Sequence, residues 1–415
     1  MKFHWFHLMP YPDLPDDFRQ RYRGVWVDPP ASELFDRQKG NEIYNEYLDE
    51  LEYAAEVGFD GICVNEHHQN AYGLMPSPNI MAGSLARRTR DTKIVLMGNS
   101  VALYNPPIRV AEEMAMLDSI SGGRIVAGFP VGTPMDSTYC YGMNPATLRE
   151  RYREAIDLIL KAWKSEQPFA YNGKYTQLRY VNIWPRTVQE PHPPVWVPGA
   201  GSVETWDMCA ENNFLYAYLS YFGFERGRKN FDGYWETIDK HGLERNPYRA
   251  GFLQFIGVAE DDKEAEELYA EPALYFYNRC LHMYPGFATP PGYATIPTIR
   301  RGLQSTLAHA AAQREFANLT WKDIIDRGYV LAGSPDTVAA KINEMADVMN
   351  VGHLMVLMHY GNMRKDTVMY NTRRFAEDVI PQLRDRFSEW DDHWWPNTTM
   401  ENPAHPAPMT PSALA

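Results

Sequence analysis

Cysteine is scarce in this chain: Cys63, Cys140, Cys209 and Cys280 stand far apart and form no Cys-x-x-Cys pair. They read as free, buried thiols in a reducing compartment. Long apolar runs are missing too. None approaches the roughly 18 residues of a membrane helix, and Met1 to Pro10 lacks the basic-then-apolar layout of a signal peptide. A soluble, cytoplasmic chain that does not engage a membrane is therefore expected, and the sequons Asn318-Leu-Thr and Asn397-Thr-Thr are read as chance. Positive charge is in deficit, with a formal net charge of −13. That argues against nucleic acid or an anionic membrane as the main partner, since both select for basic patches. It is silent about a neutral small molecule. Finally, no Gly-x-Gly-x-x-Gly follows a strand, so the nicotinamide-binding fingerprint is absent.

What is present is ample core material: 45% hydrophobic and 13% aromatic residues in 415. The length would allow two average domains, but α/β barrels run as single units well beyond 250 residues. Short apolar runs alternate with helical patterns along the chain. Strands are expected at Lys2 to Met9, Ile62 to Val64, Lys93 to Val101, Arg124 to Phe129, Val195 to Val197, Phe214 to Leu219, Phe252 to Ala259 and His353 to His359. Helices are expected at Glu42 to Val57, Pro78 to Arg88, from Pro106-Pro107 to Leu117, Leu148 to Lys164, Val203 to Glu211, from Asp261-Asp262, from Gly333 to Met349, and Asp366 to Arg386. Eight strands alternating with helices is the pattern of a (β/α)8 TIM barrel. Insertions are expected at about 10–40, 167–194 and 271–328, with a tail at 387–415 that wraps over the barrel domain of 1–386 or over a neighbouring subunit; a homo-oligomer is expected.

The chemistry-bearing stretch is Gly58 to Gln69. Glu66-His67-His68 follows the second strand, at the end that faces the active site in a parallel β/α fold. Neighbouring side chains on extended backbone diverge, so His67 should point one way and Glu66 with His68 the other. Three further stretches fall at the same ends of neighbouring strands. Gly199-Ala200-Gly201-Ser202 opens a helix, where free N–H groups suit a phosphate, or it simply makes a tight turn. Asn99 and Ser100 put polar side chains in an apolar strand, either at a ligand or bonded to a neighbouring strand or water. Gly128-Phe129-Pro130-Val131-Gly132 either clears a planar molecule or is an ordinary loop exit.

Together with Pro107 to Arg124 (Pro-Ile-Arg-Val-Ala-Glu-Glu-Met-Ala-Met-Leu-Asp-Ser-Ile-Ser-Gly-Gly-Arg), Pro194 to Ser202 and Gly333 to Val338, these motifs resemble the bacterial luciferase-like family of flavin-dependent monooxygenases over most of Met1 to Arg386. The resemblance implies reduced FMN (FMNH2) bound at the barrel mouth, with His67 as the catalytic histidine and Glu66 and His68 as support. It implies that Asn99, Ser100 and Gly128 lie along the ring, beside a strained, often cis, peptide, and that Gly199, Ala200, Gly201 and Ser202 hold the phosphate. The implied reaction inserts one atom of O2 into a small organic substrate through a flavin C4a-peroxide, with electrons from a separate NAD(P)H:flavin reductase. A histidine titrating near neutrality can give and take the proton. The stretch from Tyr275 to Tyr293 is the candidate lid, and Tyr139 and His282 are candidate substrate contacts. The chain departs from the family where many members carry a basic residue after strand four and it has Val131, and in a short loop Tyr104-Asn105-Pro106. Alternatives are a deazaflavin-dependent hydride-transfer enzyme, a non-catalytic flavin-binding or partner-subunit role, and a metal-dependent hydrolase using His67 and His68. The last is disfavoured because consecutive side chains diverge and His4-Trp-Phe-His7 lacks His-x-His spacing.

Overall fold

The computed structural model describes residues 1–300, 306–397 and 400. Its strands are β1 (Lys2–Phe6), β2 (Gly61–Val64), β3 (Lys93–Leu96), β4 (Ile125–Gly128), β5 (Phe169–Asn172), β6 (Gln177–Val181), β7 (Val195–Gly199), β8 (Leu215–Tyr218), β9 (Ala250–Val258), β10 (Val330–Gly333) and β11 (His353–Leu357). The main sheet runs β10-β9-β11-β1-β2-β3-β4-β7-β8, and β8 returns to pair with β9. Those pairings are parallel, so β1, β2, β3, β4, β7, β8, β9 and β11 close into an eight-stranded barrel. β2, β4 and β8 are buried at every position, which is why they read as plain apolar runs. β10 is a ninth parallel strand outside the ring, paired with Phe255 to Val258 of the long β9.

Helices are set by local chemistry. Asp36 caps the helix Arg37–Glu56 through Gln38 and Lys39 N–H, so this helix starts earlier than the apolar spacing alone suggests. Gly58 then takes a φ of 97°, a left-handed conformation that ends the element at little cost to glycine. Ser77 with Pro78 starts Pro78–Arg88, Asp261 caps Asp262–Tyr275 and Ser334 with Pro335 starts Pro335–Met349. The final helical region is Lys365–Arg374, a wider turn at Phe375–Val379 and Ile380–Leu383, rather than one helix to Arg386.

The third strand is shorter than expected: it stops at Leu96, and Asn99 and Ser100 lie beyond its end. A cis peptide joins Met97 to Gly98. Here two glycines let backbones meet, since a Cβ on Gly98 would lie 2.0 Å from the Gly128 carbonyl oxygen. The hairpin β5–β6 forms the first outlying segment after Lys164. At the opposite, N-terminal end of the barrel, residues 390–395 pack as a plug. Trp196 Nε1 donates to the Trp394 carbonyl at 2.9 Å, Trp394 Nε1 donates to the Asn213 carbonyl at 2.9 Å, and Trp395 lies 4.7 Å from the His4 ring. Among the described residues no helix is long and apolar enough to cross a membrane.

Candidate active site

Past Val64 the chain leaves β2 and carries Glu66, His67 and His68 onto the barrel mouth. The divergence expected from extended backbone holds: His67 bonds on one side, and Glu66 and His68 bond each other on the other. His67 Nδ1 lies 2.9 Å from Asp136 Oδ2, in the helical turn Met135–Cys140 that follows β4. Asp136 also accepts from the His68 N–H at 2.8 Å, from Trp26 Nε1 at 3.2 Å and from the Thr133 hydroxyl at 2.9 Å. Burial alone would push its carboxyl up, but the His67 imidazole and these donors outweigh burial and hold it below the usual carboxylate range. An ionised carboxylate only accepts, so the His67 proton sits on Nδ1 and the lone pair is left on Nε2. Tyr72 and Trp26 stand edge-on to the imidazole, at 4.8 and 5.7 Å between ring centroids.

On the other side, Glu66 is buried and fully engaged. It takes His68 Nε2 at 2.6 Å, the Ser100 N–H at 3.0 Å and the Tyr104 hydroxyl at 3.2 Å. Asn99 donates to the same Tyr104 hydroxyl at 2.9 Å, so both predicted polar residues after β3 support Glu66. Tyr141 meets His68 Nδ1 at 3.2 Å in a second cavity of about 250 Å³. The two imidazoles therefore face different ways, each with its own carboxylate, which is the wrong arrangement for a shared metal ion.

The main cavity, of about 290 Å³, is lined at one side by Glu66, His67, Tyr72 and Ser100 and at the other by Gly199, Ala200, Ser202, Thr205 and Ser220. Val131, Met135, Leu219 and Tyr221 supply apolar wall between them, and Met283, Ala288 and Tyr293 cover it. Tyr293 fastens this cover by donating to the Gly132 carbonyl at 2.8 Å. The aromatic run Tyr275-Phe276-Tyr277 is buried packing, with Tyr277 donating to the Tyr221 carbonyl at 2.8 Å. Ser202 does not cap its helix; its hydroxyl donates to Glu204 at 2.8 Å. Gly128, Gly201, Asn99 and His68 stand behind the lining rather than in it, and neither Tyr139 nor His282 reaches the cavity. Tyr139 is exposed and donates to Gly286, and His282 Nε2 bonds the Tyr22 carbonyl at 2.8 Å.

Asp136, Trp26, Tyr72, Arg149 and Arg226 belong to the site and escape sequence reasoning. Only Asp136 had a signal within reach, four residues past Gly132 in a loop already singled out. Arg149 and Arg226 both line the cavity, near the glycine-rich loop side through Glu204 and Tyr218 respectively.

Beside the barrel mouth, His7 and His359 follow β1 and β11 and share Glu50, at 3.2 and 2.8 Å. Burial would raise the Glu50 carboxyl, yet the two imidazoles bring it down to about 2, and burial lowers His7 to about 4. The Met9 N–H donates to His7 Nδ1 at 3.0 Å, which puts the His7 proton on Nε2, 3.2 Å from Glu50 Oε2. The three side chains form a tight buried cluster whose hydrogen bonding is incomplete, with Glu50 Oε1 and His359 Nε2 left without a partner and one ligand atom from each residue within 4.8 Å of the others.

Comparison with known proteins accords with this geometry. The family model of luciferase-like monooxygenases matches residues 25–349. The oxygenase component of the flavin-dependent trigonelline monooxygenase of Acinetobacter baylyi is 30% identical over 167 residues, spanning 39% of this chain and only 45% of that one. The 3,6-diketocamphane 1,6-monooxygenase of Pseudomonas putida is 25% identical over 321 residues, 70% of this chain and 80% of that one. Among solved structures, the oxygenating constituent of Pseudomonas putida 3,6-diketocamphane monooxygenase, in complex with FMN, shares the fold with a TM-score of 0.68 at 20% identity, covering 92% of this chain and 98% of that one. An F420-dependent secondary alcohol dehydrogenase shares it with a TM-score of 0.61 at 17% identity, covering 92% and 99%.

Proposed function

Since this chain belongs to the luciferase-like monooxygenase family, we propose that it is the oxygenase of a two-component flavin-dependent monooxygenase, taking reduced FMN from a separate reductase and O2 from solution to oxygenate a small organic substrate. The observation that carries the reading is one cavity with a carboxylate-held histidine at one side and a serine-bearing glycine loop, flanked by two arginines from separate helices, at the other. That donor set fits an elongated cofactor with an anionic end and a polarisable ring. Ser202, Thr205, Arg149 and Arg226 would hold the anionic end, and Tyr72, Val131 and Tyr221 would flank the ring. Bound reduced flavin supplies the two electrons that activate dioxygen.

The chain's own residues do the rest. His67 presents an unprotonated Nε2 to the cavity, a base that becomes an acid once it has taken a proton. Asp136 fixes that tautomer and stabilises the imidazolium when it forms. Glu66, saturated with donors, stays in place as a fixed negative charge behind the histidine. Met283, Ala288 and Tyr293 exclude water from above.

The test is dioxygen consumption by the purified chain with FMN, NADH and a generic flavin reductase, screened for substrates that incorporate 18O from labelled dioxygen. Substrate oxidation without label, or dependent on a deazaflavin in place of FMN, would replace this reading with hydride transfer on the same fold.

A further inference from the structure

Two tyrosines meet in the wall of the main cavity. Tyr72 comes from the stretch after β2 and Tyr221 from the stretch after β8, and their hydroxyls hydrogen-bond each other. Among the described residues neither hydroxyl has another hydrogen-bond partner. Two hydroxyls carry two protons, and one of these closes the bond between the oxygens. The second is left without an acceptor. Tyrosines close by are provided for differently: Tyr277 donates to the Tyr221 carbonyl at 2.8 Å, Tyr293 to the Gly132 carbonyl at 2.8 Å and Tyr152 to the Phe129 carbonyl at 2.6 Å. A phenol proton with no protein acceptor, beside a cavity, is a donor held for something that enters it.

Both rings are fixed before anything binds. Trp26 lies 4.2 Å from Tyr72 between ring centroids, and Phe276 and Phe255 pack against Tyr221 at 5.6 and 5.7 Å. A hydroxyl on a locked ring loses little freedom when it binds a ligand. Burial pushes the Tyr221 phenol up to about 12 and Tyr72 well above its ordinary value, so both stay protonated and neutral. The hydroxyl behind polarises the one in front, which strengthens the bond that the front one makes.

The surroundings narrow the acceptor. Val131, Met135, Leu219 and Met283 make the nearby wall apolar, which suits a hydrocarbon body carrying few polar atoms. His67 stands edge-on to Tyr72 at 4.8 Å between ring centroids, so an oxygen held by the two phenols is presented beside the base. A carbonyl oxygen accepts a hydrogen bond and brings no proton of its own. An alcohol would need an acceptor in return and would occupy His67 Nε2. The geometry points to Tyr72 and Tyr221 as the substrate-oxygen site, a hydroxyl pair that takes the carbonyl oxygen of an apolar ketone or aldehyde and selects it over the hydrocarbon of the same shape. The inference deepens the oxygenase reading above and rests on it for calling that molecule the substrate.

The experiment measures binding of cyclohexanone, cyclooctanone and cyclodecanone to the full chain, with and without FMN, each beside the cycloalkane and the alcohol of the same ring. Calorimetry reads affinity, and infrared spectra of the carbon-13 ketones read the carbonyl. At least one ketone should bind the wild-type chain about 5- to 30-fold more tightly than its cycloalkane, with its carbonyl stretch at lower wavenumber than in hexane. Tyr72→Phe and Tyr221→Phe keep both rings. One variant should abolish the preference and the stretch shift and the other should reduce both, because one hydroxyl touches the ligand and its partner only polarises it. Cycloalkane binding should hold in both, which shows the pocket intact. Ketones bound no better than cycloalkanes overturn the proposal, and so do variants that keep the full shift or that lose ketone and cycloalkane alike. An alcohol bound more tightly than its ketone overturns the carbonyl assignment. If ketones bind and shift as expected while no compound in the dioxygen screen is oxidised with FMN, the hydroxyl pair stands and the oxygenase reading fails.

Discussion

Replacing Asp136 by Asn tests the centre of the site with the smallest change in shape. In the native chain the carboxylate accepts from His67 Nδ1, the His68 N–H, Trp26 and Thr133. An amide can keep the backbone bond through its oxygen, but its NH2 then faces His67 Nδ1. That nitrogen must become the acceptor, and the proton moves to Nε2, where it cancels the base. Removing the neighbouring negative charge also takes away the partner that stabilises the imidazolium. Asp136→Asn is therefore expected to cut turnover about 10- to 1,000-fold with little change in flavin affinity. Nitrogen-15 NMR of the imidazoles reads the tautomer without any substrate, and the pH profile of flavin-dependent oxygen consumption reads the function. A His67 that stays protonated on Nδ1 in the variant would refute the assignment of Asp136 as the group that sets it.

Gly98→Ala should cost about 1–3 kcal/mol or more, because the new methyl would fall 2.0 Å from the Gly128 carbonyl oxygen; a urea midpoint within experimental error of wild type would contradict the close approach. Acid should destabilise the fold through the His7–Glu50–His359 set. His7 is held neutral down to about 4, so between pH 6.5 and 4 the unfolded chain binds a proton the folded chain refuses. Glu50 is held ionised down to about 2, so the same sign continues below pH 4.5. Both shifts favour unfolding as pH falls, by on the order of 3 kcal/mol for His7. Urea unfolding at pH 7, 5.5 and 4.5 should show that loss, and His7→Gln should flatten it above pH 4; parallel pH curves for the two proteins would remove His7 from the account.

The barrel was legible because its strands are short apolar runs with capped helices between them. The pairs Ser77-Pro78 and Ser334-Pro335 mark helix starts by chemistry confined to adjacent residues, and those starts fall where expected. Asp36 marks one as well, but the polar stretch behind it hid the first helical turn, where no apolar periodicity exists to be read. Val330 to Gly333 does not read as a strand because four apolar residues before a helix carry no period; the strand exists because β9 runs past the ring and leaves its far half to pair with it. The third strand reads as too long for the converse reason. Val101 to Leu103 are as apolar as a strand but form a short helical turn, since the Ser100 N–H has gone to Glu66 instead of a neighbouring strand.

The site divides along the same line. Alternation of side chains is a property of one strand, so the opposed directions of His67 and of Glu66 with His68 could be read from three consecutive residues. What each histidine bonds is a property of the assembled mouth. Asp136 lies 69 residues from His67 and Trp26 lies 110 residues from Asp136, separations at which no spacing rule operates. Arg149 and Arg226 sit in helices whose periodicity reports only which stripe faces the barrel wall, and by that measure both read as ordinary polar positions. Their first-turn placement turns them toward the strand ends instead, where a cavity exists only after β4, β7 and β8 have come together. Sequence periodicity thus ranks residues against their own element, whereas catalytic groups are chosen by the rim that several elements share. A half-buried arginine turned toward a shared cavity is visible only once that rim is built.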